Sequence, residues 1–237
     1  MRIIDQMPDL PRLTFIHTSH VLIPMFTDLA RKHLPSVETI HMLDESLIRN
    51  TIKAGRLTEN TTRRVAGMIQ LAREGGADVV MVTCSSIGDA TAQAREHCDF
   101  PVLRIDEPLA GAAVAIGGVI GVAATLSTTL EPTVELLEAT ARRMGRQIKI
   151  VPLLAEGAFE AVLAGDTARH DAMVLEILRE LRGTSDVVVL AQASMARVAA
   201  LLPKEDIPDI PILASPELAI KSLAELFSKT EKTDSAG

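Results

Sequence analysis

The clearest chemical signal in the chain is Asp78-Val-Val-Met-Val-Thr-Cys84-Ser85-Ser86, where an apolar run ends on a thiol and two hydroxyls. A thiol so placed can exchange a proton with a ligand, or attack it if the thiolate is stabilised. A second stretch, Asp186-Val-Val-Val-Leu-Ala-Gln192-Ala-Ser194, matches the first almost position for position. Gln192 stands there in the place of Cys84, 108 residues on. An amide donates and accepts hydrogen bonds but does not carry a proton to or from a ligand near neutral pH. Around both positions the sequence supplies hydroxyls: Thr18 and Ser19, Ser85 and Ser86, Thr125, Ser127 and Thr128, and Ser194. Each alone is commonly a helix cap. Their recurrence after four apolar runs points instead to a cradle for a carboxylate, shared with the free N–H groups of helix starts.

Such residues need strands to carry them and helices to follow. Residues 79–83 read as a strand buried on both faces of a parallel sheet, and ligands collect outside the carboxyl ends of such strands. Ala90, Ala94 and Cys98 continue it as a helix. Before it, the pattern predicts a strand over 13–17 and a helix with Pro24 in its first turn, ending near His33. A strand over 37–42 and a helix over 58–74 that closes at Gly75-Gly76 come next. A short strand over 101–104 completes the half. The second half repeats the order: a helix over 109–116 and a strand over 119–124 lead to a helix from about Glu131 to Met144. A strand over 148–152, a helix over 167–182 and a strand over 186–191 follow. A last helix spans 216–227, and the polar residues 229–237 are expected to fray.

The pairs Asp78 with Asp186, Cys84 with Gln192 and Ser86 with Ser194 share one offset, and Thr18 with Thr125 and Pro101 with Pro211 nearly share it. A repeat of this size means two copies of one βα lobe. The expected fold is therefore α/β, with two pseudo-symmetric lobes, each a mostly parallel sheet flanked by helices. The active site is expected in the cleft between them. The lobes should span 1–105 and 106–215, with the last helix, 216–228, packing back on the first. No Gly/Ser-rich linker separates them near Asp106 and Glu107, which argues for close contact between lobes.

Composition excludes several functions. The 237 residues include no Trp or Tyr and only five Phe, so stacking on single-stranded nucleic acid has almost no platform. A net charge of −7 without a basic run gives no footprint for a phosphate backbone. Residues 109–126 are uncharged but rich in Ala and Gly and broken by Gly117-Gly118, so they read as helix, turn and buried strand. Residues 1–13 carry Asp5, Asp9 and prolines where a secretion signal would be apolar. Cys84 and Cys98 do not make a metal pattern, and a reduced, cytoplasmic chain without a metal is expected. The helix start at residues 87–89 should favour the Cys84 thiolate. His17 and His20 are candidates for a second acid/base. Asp44, Glu45, Asp106 and Glu107 follow strands and could replace a thiol, although capping and solvation are their commoner uses. Cys98 reads as structural.

The segments Val-Thr-Cys84-Ser-Ser, Gly121-Val-Ala-Ala-Thr-Leu-Ser-Thr128 and Val189-Leu-Ala-Gln-Ala-Ser-Met195 together carry a resemblance. The chain resembles the aspartate/glutamate racemase superfamily, in the branch that holds hydantoin racemases, arylmalonate decarboxylases and maleate isomerases. The resemblance runs through about Phe227. It implies two pseudo-symmetric α/β lobes and cofactor-free proton transfer at a carbon beside a carboxylate. In racemases of this superfamily two cysteines face the substrate from opposite sides, and here the second position holds Gln192. The resemblance thus implies an isomerase in which Cys84 moves the proton and Gln192 hydrogen-bonds. The alternatives are a single-cysteine decarboxylase or lyase, and a non-catalytic carboxylate-binding protein. The expected partner is a small anionic carboxylate, with homo-oligomerisation left open. No cofactor, nucleic acid or membrane is expected.

Overall fold

The structure, a computed structural model, describes residues 10–202 and 210–234, with side chains to residue 228. The reading of residues 1–9 as lacking a secretion signal lies outside them. The fold rests on two four-stranded parallel sheets with the same strand order. The first lobe runs β1 (Arg12–His17), α1 (Leu22–His33), β2 (Glu38–Leu43), α2 (Glu45–Ala54), α3 (Glu59–Glu74), β3 (Val79–Val82), α4 (Gly88–Arg95) and β4 (Val102–Arg104). Its sheet order is β2-β1-β3-β4. The second lobe runs α5 (Glu107–Ile116), β5 (Gly118–Ala124), α6 (Ser127–Arg143), β6 (Ile148–Leu154), α7 (Ala158–Leu163), α8 (Thr167–Thr184), β7 (Val187–Leu190), α9 (Ala196–Ala199) and β8 (Ile212–Ala214). Its sheet order is β6-β5-β7-β8. The two-lobed α/β architecture expected from the sequence is thus the observed one.

The repeat extends to individual bonds. Asp78 accepts the backbone N–H of Arg12 at 2.8 Å, and Asp186 accepts that of Val119 at 2.6 Å. Each aspartate ties the foot of a central strand to its neighbour, which sets the register of β1 against β3 and of β5 against β7. The strands β3 and β7 are buried throughout, as an apolar run covered on both faces must be. Each then gives way to an extended residue, Cys84 or Gln192, and a single 3₁₀ turn.

α10 (Ser215–Asp234) crosses back to the first lobe. Its Ala219, Ile220, Leu223 and Phe227 join Leu13, Phe15, Phe26 and Met81 in one apolar cluster, together with Ala193 of the second lobe. The helix therefore continues to Asp234 where residues from 229 were expected to fray, and 235–237 lie outside the described residues.

Three further expectations are corrected. α2 and α7 were not anticipated. α2 is short, and its start signal, Asp44 accepting from the Ser46 N–H, was taken as a strand-end polar cluster. α6 begins at Ser127 instead of near Glu131, with Pro132 inside the helix. β6 runs to Leu154, past Pro152. It lies at the sheet edge, where a missing N–H can face away from the ladder.

Candidate active site

Both lobes present the carboxyl ends of their central strands to one junction, where Ser86 Oγ meets Thr129 Oγ1 at 2.8 Å. On the first side, Cys84 has an extended backbone and leads into a tight turn over Ser85–Ile87. Polar groups of Thr18, Ser86 and Ile87 surround Cys84 Sγ and favour the thiolate. Burial nevertheless dominates and pushes the thiol above its ordinary value, against those groups. This corrects the expectation of a favoured thiolate: at neutral pH the resting sulfur keeps its proton. The helix start is there, but desolvation outweighs it.

On the second side, the side chain of Gln192 is tied to Thr125. Gln192 Oε1 accepts the Thr125 backbone N–H at 2.6 Å and the Thr125 hydroxyl at 3.0 Å. Gln192 Nε2 in turn lies 2.9 Å from that hydroxyl, which leaves one amide N–H without an acceptor among the described residues. Thr18 and Thr125 are counterparts in the repeat, so the Gln192 carbonyl oxygen occupies the chemical position that sulfur occupies in the first lobe. Each has beside it the threonine at the end of the neighbouring strand.

Two adjoining recesses open at the junction, of about 120 and 290 Å³, and share Gly55 and Thr128. Ser86 lines the smaller; Thr125 and Ser127 line the larger. Neither Cys84 nor Gln192 lines a recess, but Ser86, two residues from Cys84, lines the smaller, and Thr125, hydrogen-bonded to Gln192, lines the larger. Thr128 is 7% exposed, and its Oγ1 has no hydrogen-bond partner. Ser85 is buried, Ser19 half-buried, and Ser127 and Ser194 are exposed. Cys98 is half-buried on the far end of the α4 segment, its thiol donating to the Ala94 carbonyl at 3.3 Å.

The other candidates for a second acid/base are engaged elsewhere. Asp44 holds Ser46 and Arg64, Glu45 holds His20 and Arg49, Asp106 holds Arg104, and Glu107 holds Arg95. His17 is fully buried in a chain of polar side chains. The Thr27 hydroxyl donates to Ile23 O (2.8 Å), so its oxygen accepts from His41 Nε2 (3.0 Å). His41 Nδ1 lies 2.9 Å from His17 Nε2, and His17 Nδ1 lies 2.8 Å from the Thr83 hydroxyl, which also reaches Ile16 O at 3.2 Å. Burial, then the neighbouring His41, lowers the His17 pKa to about 4.

The chain has been compared with known proteins. The family model described as Asp/Glu/hydantoin racemase matches residues 16–223. The chain belongs to the Asp/Glu/hydantoin racemase family. Among solved structures, a glutamate racemase isoform from Bacillus anthracis matches with a TM-score of 0.75 at 17% identity, covering 93% of this chain and 82% of that one. Allantoin racemase from Klebsiella pneumoniae matches at 0.65 and 18%, covering 93% and 89%. An aspartate racemase homologue from Pyrococcus horikoshii matches at 0.65 and 13%, covering 92% and 100%. At these identities the likeness is one of fold. No curated protein sequence matches. Membership of the Asp/Glu/hydantoin racemase family makes the protein an isomerase of racemase type. Among the described residues no helix is long and apolar enough to cross a membrane.

Sequence reading missed several residues that shape this candidate site. Thr129 is hidden behind Thr128 in a run of hydroxyls, and only the start of α6 shows which of them crosses the junction. Gly55 and Glu156 line recesses yet belong to turns with no motif of their own. The His17 chain also carries an expectation. As pH falls, the unfolded chain takes up a proton near pH 6.5 while native His17 resists until about 4. Stability present above about pH 6.5 is therefore lost on acidification, by about 3 kcal/mol between pH 7 and 4 from this group. Urea unfolding at both pH values checks it: His17→Gln should remove most of that difference.

Proposed function

We propose that the protein moves a proton, without a cofactor, at the carbon beside the carboxylate of a small acid, with Cys84 as the proton-carrying group. The observation that carries this reading is a free thiol at the carboxyl end of β3, surrounded by polar groups of Thr18, Ser86 and Ile87 and two residues from Ser86 on the recess wall. The substrate carboxylate would lie against the start of α6, with Thr125, Ser127 and Thr128 as donors. Thr18, Ser85 and Ser86 would form the thiol side of the site, and Ser19 and Ser194 its outer rim. When Cys84 gives its proton to a carbanion, the resulting thiolate is received by polar groups already around the sulfur, so little reorganisation is needed. In the reverse direction the same groups stabilise the thiolate that removes the proton. Gln192 would use its remaining amide N–H to orient the substrate. Both cysteines are free, which suits the reducing cytoplasm as the working compartment.

One observation favours a second reading, a decarboxylase or lyase. Gln192 has its carbonyl committed to Thr125, so its face of the site has no proton to offer. A reaction that needs a single protonation would suffer no loss. The Gln192→Cys variant tests the reading. It should place a second thiol beside the Thr125 hydroxyl and raise conversion between enantiomers by tenfold or more, in a panel of small chiral carboxylic acids followed by chiral chromatography. No gain for any acid whose α-hydrogen the wild type exchanges would mean that the two positions do not flank one carbon.

A further inference from the structure

The geometry points to a substrate with one carboxylate and a distal end that is cationic or neutral, so that dicarboxylates are rejected. This rests on the carboxylate placement of the proposed function and extends it to the other end of the molecule. The near end is set by α6. That helix has 17 residues, no side-chain cap on Leu126 and no acidic residue in its first turn. Its positive end is therefore uncompensated by the chain. Thr128, in that first turn, forms a wall of both recesses, is 93% buried by its 7% exposure, and leaves its hydroxyl oxygen unbonded. A buried hydroxyl without a partner beside free helix N–H groups is a place an anion satisfies.

The far end carries the opposite sign. The only charged side chains lining the larger recess are Glu156 and Glu160. Both are exposed, and neither side chain makes a hydrogen bond or ion pair among the described residues. In the smaller recess Asp89 is paired with Arg104, while Glu131 and Glu135 are unpaired and Arg56 is the one cation. A ligand that puts one carboxylate at α6 thus points its other end toward uncompensated carboxylates. A second carboxylate there meets like charge, and an ammonium meets opposite charge. The recess, about 290 Å³, lies at the small end of ligand pockets. Because the glutamates are exposed, the discrimination is screened by salt.

Three five-carbon probes differ only at the far end: 5-aminopentanoate, pentanoate and glutarate. Calorimetric titration of the wild type should show 5-aminopentanoate binding about tenfold or more tighter than glutarate, with pentanoate between them. The gap should shrink below about threefold in the Glu156→Gln/Glu160→Gln variant, and at about 0.5 M salt. Thr128→Val should weaken all three alike. Glutarate binding as tightly as 5-aminopentanoate overturns the inference. So does a preference that the double variant leaves unchanged, or the absence of binding by all three probes. Hydrogen exchange by Cys84, measured separately on chiral acids, keeps the two readings apart. A glutarate preference with exchange that depends on Cys84 sinks only the charge inference. The expected preference with exchange indifferent to Cys84 sinks only the proposed function.

Discussion

Cys84→Ser should lower proton exchange at the substrate carbon by about 10²–10⁴-fold, the range for removing a positioned acid/base, while carboxylate binding changes little. Serine keeps the size and the hydrogen bonds of the position but holds its proton far too tightly to lend it. The polar groups around the sulfur then have an oxygen to meet, so the loss is chemical and not structural. Burial raises the thiol, which adds a pH signature to the same residue. Alkylation of Cys84 by iodoacetamide, followed peptide by peptide, should be slow at pH 7 and climb with a midpoint above the ordinary thiol value. A midpoint near neutrality would mean that these polar groups outweigh burial and that the resting sulfur is a thiolate.

Gly88→Ala should destabilise the fold by about 3 kcal/mol, the cost of breaking a buried ion pair. Helix propensity alone argues the other way, since alanine is favoured over glycine by about 1 kcal/mol inside a helix. Space decides the sign. A Cβ on Gly88 would collide with Arg104 Nη2 and lie 2.7 Å from its Nε. That guanidinium is buried, makes two 3.0 Å bonds to the buried Asp106, and makes a third to Asp89. It has no slack with which to move aside. In an Arg104→Ala background, itself destabilised by the stranded Asp106 carboxylate, the same Gly88→Ala change should cost nothing or help. Urea unfolding of the four proteins gives the coupling directly; additive effects would show that the contact does not restrain the turn after Cys84.

The repeat made much of this legible in advance. Asp78 and Asp186, Cys84 and Gln192, and Thr18 and Thr125 each keep a shared job in both lobes, and a shared job is what a fixed sequence offset records. The strand ends were visible because β3 and β7 are short apolar runs that stop abruptly on polar residues. Other features lay beyond the sequence because they depend on long-range packing. That Arg104 lies flat against Gly88 follows from where β4 ends relative to α4. That His17 is locked between Thr83 and His41 follows from three strands being side by side. The thiol's protonation state was misjudged for a related reason: a helix start can be read locally, whereas the burial that outweighs it is contributed by the whole lobe.

The central claim is that Cys84 carries the proton, and hydrogen exchange in deuterium oxide tests it most directly. NMR would follow loss of the α-hydrogen signal from a small chiral carboxylic acid held at saturating concentration with the wild type and with Cys84→Ser. The account predicts that deuterium enters in the wild type and that the variant, binding the same acid, falls behind by about 10²-fold or more. Exchange at similar rates in both proteins would contradict it and move the chemistry away from the thiol.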